Sequence, residues 1–165
     1  MNPIEEDETS PEGLFLTGGS YTFKFGPTLT LEYLFNSAGY SKKQADLYFE
    51  LRRRASEAFF SPIQDIRDLS RLTLAQTLDP KLRFLRKNYL MLQYQHSQIW
   101  DVLNIIFRYT YNLDDHSSQL NPIVEYDIGK YFQLFLIGSQ NFGSQESEFR
   151  SLTSYSWMLG LEYTF

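Results

Sequence analysis

The last twelve residues, SYSWMLGLEYTF, alternate strictly between apolar and mostly polar side chains. Tyr155, Trp157, Leu159, Leu161, Tyr163 and Phe165 share one parity; Ser154, Ser156, Met158, Gly160, Glu162 and Thr164 share the other. Successive side chains of a strand point to opposite faces, so the pattern predicts a β-strand with one apolar and one wet face. Six further segments behave alike. In LNIIFRYTYN, Leu103, Ile105, Phe107, Tyr109 and Tyr111 oppose Asn104, Ile106, Arg108, Thr110 and Asn112. In TLTLEYLFN, Leu29, Leu31, Tyr33 and Phe35 oppose Thr28, Thr30, Glu32, Leu34 and Asn36. NPIVEYDI, YLMLQYQ and SYTFKF divide in the same way, the last placing Tyr21, Phe23 and Phe25 against Ser20, Thr22 and Lys24. YFQLFLIGSQ is the least regular, because Phe135 and Ile137 fall on its polar side. Aromatics make up 17% of the 165 residues, yet hydrophobic content is an ordinary 42%, as expected where a greasy face and a wet face cancel. A soluble β-sandwich would have the same totals and stays as the alternative fold.

The end of the chain narrows the choice. Gly160, Tyr163 and the terminal Phe165 resemble the C-terminal signal of bacterial outer-membrane barrels, which the barrel-assembly machinery reads; Met158, two residues before the glycine, departs from the polar residue usual there. Aromatics also lie toward both ends of the apolar face, as the girdles of a membrane barrel require. The connections are a separate test, because such barrels have short periplasmic turns and longer outer loops. Counting back from a last strand that descends to the periplasm, tight turns are predicted at Gly26-Pro27, Ile99 to Val102 and Gly129-Lys130, and longer connections at 40–87, 113–119 and 142–153. Seven strands place the start of the first one outside, whereas complete single-chain bacterial barrels have an even number. An open edge in lipid leaves backbone groups unpaired. The expectation is therefore a barrel of about 7–8 strands in this chain that is one portion of a larger barrel, or that copies complete as a homo-oligomer. Residues 1–13 read as an acidic disordered segment or loop remnant, and 14–165 as the barrel portion. Met1 leads into NPIEEDETSPEG, which has no apolar core, so the chain reads as a mature or partial sequence, or as a protein not exported to the outer membrane.

The long connection at 41–87 reads as helical, with the helical insertion itself at about 41–80. Leu47, Tyr48, Leu51, Ala55, Ala58 and Phe59 have helical spacing, Ser41 is placed as N-cap, and Glu50–Arg54 and Arg53–Glu57 are i,i+4 pairs. Ser61-Pro62 predicts a second helix from about Pro62 to Ala75. The region through Lys87 holds 11 of the 15 basic residues. It reads as a cap meeting lipopolysaccharide phosphates, as a loop folded into the mouth, or simply as a solvated helical hairpin.

The string LEYLFNSAGYS, the helical insertion, then YNLDDHSSQLNP and SEF before the last strand resemble a group of porin-like outer-membrane barrels of little-characterised function. The resemblance covers most of the chain from about Thr28 and implies an antiparallel transmembrane β-barrel in the bacterial outer membrane, contacting lipid and lipopolysaccharide, with passive passage of small solutes or ions. A non-conducting structural or surface-binding barrel is the alternative reading, and a lipid enzyme of that membrane a more distant one. The resemblance carries over no catalytic or ligand residues.

The predicted lumen face carries Lys24, Glu32, Arg108, Glu125, Asp127 and Glu162. Such groups tune ion selectivity if the bore is wet, four acids against two bases favouring cations, and they form internal ion pairs if the bore is filled. Asp114, Asp115 and His116 read as a polar hairpin loop rather than a cation site. His96-Ser97 lacks the orienting third group that nucleophilic catalysis needs, and adjacent strand residues point apart, so no enzyme is expected. The absence of cysteine removes thiolate metal sites, the spacing motifs of cofactor enzymes are missing, and a net charge of −5 argues against nucleic acid. No cofactor or metal is expected.

Overall fold

The computed structural model describes residues 13–77, 84–151 and 153–164. Seven antiparallel strands form one sheet in sequence order: β1 (Leu14–Thr22), β2 (Thr28–Asn36), β3 (Asn88–Ile99), β4 (Leu103–Asn112), β5 (Ser118–Ile128), β6 (Phe132–Phe142) and β7 (Tyr155–Tyr163). The architecture is all-β with two short helices, α1 (Lys42–Ala58) and α2 (Gln64–Thr77), inserted between β2 and β3. The sheet is not closed into a barrel: β1 and β7 stand at its two edges.

Connections alternate only in part as the strand pattern predicts: 100–102 and 129–131 are tight and 37–87 and 143–154 long, but 23–27 and 113–117 have the same length of five residues. Gly26 and Gly129 supply positive φ to two of the short turns, at 113° and 67°. The third has no glycine, and Trp100 and Asp101 adopt φ of 51° and 63° beside an irregularity between His96 and Ile99.

One predicted strand needs correction. The alternation SYTFKF is not a strand throughout; β1 begins at Leu14 and ends at Thr22. The Phe23 amide donates to the Pro27 carbonyl at 2.8 Å and closes the turn, so Phe23, Lys24 and Phe25 lie in the turn. The aromatic alternation runs on into the turn, where Tyr21 meets Phe23 edge-on and Phe23 meets Phe25 at a tilt, with ring centroids 4.9 and 5.3 Å apart. Both β3 and β5 begin earlier than their apolar patterns, at Asn88 and Ser118.

The chain divides into two compact units, one containing Asn36–Lys87 and the other Phe15–Phe35 with Asn88–Phe165. The helical unit has its own core of Ala45, Tyr48, Phe49 and Leu85, with Tyr40 packed against it. Ser41 caps α1 in a reciprocal box with Gln44, and Arg53–Glu57 and Arg54–Glu50 pair along its surface. The predicted second helix starts too early: Ser61 Oγ accepts from the Ile63 amide at 3.3 Å in a turn, and the first i,i+4 bond runs from the Arg67 amide to the Ile63 carbonyl. The helix therefore begins at Gln64 and runs through Thr77. Among the described residues no helix is long and apolar enough to cross a membrane.

Candidate functional site: the polar face of the sheet

Strand pairing converts parity into rows. On the apolar face, His96, Ile105, Val124, Leu136 and Leu159 form one row across β3 to β7. Leu103, Tyr126, Leu134 and Leu161 form the next. Aromatics flank these aliphatic rows: Phe132 and Tyr163 pair toward the short-turn end, with centroids 5.1 Å apart, and Tyr33, Tyr111 and Phe142 lie toward the other. The face is open, with Leu159 at 68% and Leu161 at 61% exposure. No contact within the sheet covers it.

The opposite face is mostly polar and is built the same way. Thr30, Gln93, Arg108 and Asn121 occupy one row across β2 to β5, and Arg108 Nε donates to Gln93 Oε1 at 2.7 Å. Asp127, Gln133 and Glu162 occupy another across β5 to β7, where Gln133 Nε2 donates to Asp127 Oδ1 at 2.9 Å. Glu125 stands between Asn104 and Phe135, and Glu32 opposite Met91. Five of the six residues expected on this face lie in its strands; Lys24 is the exception, sitting in the 23–27 turn. The pairing joins Asp127 and Glu162 through Gln133 and leaves Arg108 apart from the acids.

Pairing also explains the strand that breaks alternation. Ile137 stands between Ile123 and Met158, and Ile123 opposes Ile106, so the polar face carries one apolar row of Ile106, Ile123, Ile137 and Met158. Phe135 lies over Gly160, where any Cβ would collide with its ring. On the other face of the same strand pair, Trp157 covers Gly138 in the same manner. Gly160 thus has a packing duty besides its place in the terminal motif. Tyr163 ends β7 and stacks on Phe132, and Phe165 lies outside the described residues.

At the long-loop end the polar face finishes in a buried seam that the strand pattern does not reveal. Tyr89 and Asn112 are paired neighbours on this face, both fully buried. Tyr89 Oη and Asn112 Nδ2 both donate to Glu148 Oε2, at 2.6 and 2.7 Å. The Glu148 amide donates to Asp115 Oδ2 at 2.9 Å, and Asp115 Oδ1 accepts from Ser117 N and Oγ at 2.8 and 2.6 Å. Asn112 Oδ1 accepts from the Asp114 and Asp115 amides, and Asp114 accepts from the Asn88 amide and side chain at 2.9 Å each. On the apolar face, Tyr33 Oη donates to Asn88 Oδ1 at 2.6 Å and ties β2 to the same end of β3. These acids are occupied as acceptors, and no group of three or more metal-ligating side chains is placed to hold an ion among the described residues. His116 Nδ1 lies 3.0 Å from the Tyr111 hydroxyl, and His96 Nδ1 lies 3.1 Å from that of Tyr94 rather than at Ser97. Comparison with protein-family models, curated proteins and solved structures yields no match for this chain.

Proposed function

We propose that this chain is a portion of an outer-membrane β-barrel that gives small solutes or ions a passive route through the membrane. The observation that carries the reading is the apolar face: aliphatic rows bounded by aromatics, open along the whole sheet, opposite a face with charged and amide side chains. An apolar surface this extensive needs a cover, and a lipid bilayer supplies one that matches aliphatic centre and aromatic margins. Lipid and lipopolysaccharide are then the surrounding partners, and the barrel-assembly machinery inserts the chain. Closure needs further strands, from more of the same polypeptide or from other copies, because an edge in lipid leaves its backbone groups unpaired.

A non-conducting barrel is the second reading, and the apolar row Ile106–Ile123–Ile137–Met158 favours it. In a narrow barrel, side chains fill the bore. Refolding the chain in detergent and reconstituting it in planar bilayers separates the two. Stepwise ion conductance supports the passage reading; a membrane-inserted, heat-modifiable species that never conducts supports a filled bore. A species that stays in the aqueous phase without detergent overturns both.

A further inference from the structure

We infer that the connection between β6 and β7 narrows the passage, and that Glu148 is the residue positioning it there. This inference rests on the barrel reading above. The chain leaves β6 at Phe142 and enters β7 at Tyr155, but between them it reaches back past β5 and β4 to the end of β3. It does so on the polar face, since its contacts there are the side chains of Tyr89 and Asn112. The Phe149 ring also meets that of Tyr89, with centroids 6.4 Å apart. A connection that crosses three strands on the inner side of a closed barrel occupies the mouth.

The crossing is fixed rather than loosely draped. Its backbone is tied internally, with the Ser147 hydroxyl donating to the Ser144 carbonyl and the Ser151 amide to the Ser147 carbonyl. Ser147 is fully buried, and a side chain at Gly143 would collide with it. At the foot of the crossing, Asn141 Nδ2 donates to the Thr153 carbonyl at 2.9 Å and draws the two strand ends together. The Glu148 carboxylate accepts from two buried donors on the sheet, and with the Glu148 amide on Asp115 and the Phe149 ring on Tyr89 it anchors the segment on the polar face. Glu148 adds negative charge beside Asp115, whose Oδ2 accepts from its amide, so the narrowed mouth selects for cations.

Two readouts on the full chain test this: trypsin cleavage after the exposed Arg150, followed by mass spectrometry, and single-channel conductance. Losing a charge-assisted hydrogen-bond pair should speed cleavage of Glu148→Ala roughly tenfold or more over the parent. Conductance should at least double and cation preference fall. Glu148→Gln, which keeps an acceptor oxygen, should fall between. Tyr89→Phe, which removes only one donor, should shift both readouts in the same direction by less, and it replaces Glu148→Ala should that variant fail to fold. Faster cleavage with unchanged conductance would mean that the segment leaves without opening anything, and the inference is overturned. Unchanged cleavage would mean that Glu148 does not hold the segment, which overturns it equally. A parent that inserts but carries no current fails the passage reading itself, a result distinct from either.

Discussion

In the helical unit the side chains withdrawn from solvent are mostly apolar, Ala45, Tyr48, Phe49, Ala55 and Leu85 beside Ser70 and Arg86, whereas in the sheet they are mostly polar, Asn112, Ser117, Ser118, Asn141 and Ser147 beside Leu34 and Tyr89. The first unit follows the ordinary rule that apolar surface leaves water. The second largely inverts it: most of its large aliphatic and aromatic side chains are exposed, and amides and hydroxyls held by hydrogen bonds are among its best-buried groups. The difference lies in how each element arranges its apolar residues. Helical spacing collects Ala45, Tyr48 and Phe49 on a stripe of α1 that packs with Leu85 and Tyr40, while alternation across a single sheet collects apolar residues on a face that no described residue of the sheet covers. The inversion is the physical reason to look for a non-aqueous surrounding for the strands.

The contrast can be broken by substitution. Phe49→Ala should have the largest effect, about 3–5 kcal/mol for emptying an aromatic site in a small core. Because the core belongs to the helical unit, helical circular dichroism should fall while the strand signal persists; joint loss of both would mean that the units do not fold separately. Ile105→Arg, in the middle of the apolar face, should cost about 2–4 kcal/mol for the chain folded in liposomes, and Thr110→Arg on the polar face much less. Denaturant titration of both variants measures the gap, and equal losses would show that the two faces meet the same solvent. Gly160→Ala should cost about 1–3 kcal/mol by forcing Phe135 from its seat, which the same titration reads. A neutral result there would leave the glycine only its part in the terminal motif.

Much of this was legible because alternation is a local signal. The face assignments of β2, β4 and β7, the tight turns at 100–102 and 129–131, and the capping of α1 by Ser41 follow from residues a few positions apart. The first strand was misplaced because LFLTGGSYT has adjacent glycines and no clean alternation, while the alternating aromatics Tyr21, Phe23 and Phe25 imitate a strand into the turn. The start of α2 moved because Ser61-Pro62 builds a turn before the helix rather than its first turn. Phe135 and Ile137 looked like errors in a pattern because their partners, Gly160 on one side and Ile123 with Met158 on the other, come from neighbouring strands. The buried seam was beyond local reading, since Tyr89 and Glu148 are 59 positions apart. Its trace was the density of Asn, Asp and Ser in YNLDDHSS, more than a simple hairpin loop requires.

The two glycine–aromatic contacts between β6 and β7 act as a check on registration. A slip by one residue exchanges the faces and is rejected by solvation alone, but a slip by two leaves every apolar side chain on its proper side. Only shape distinguishes that error. It would set Trp157 against Leu136 or Gln140 instead of Gly138, and Phe135 against Met158 or Glu162 instead of Gly160. With one interlock on each side of the same strand pair, the last strand has a single setting in which both rings find their hollows, much as a key with two notches turns in only one lock.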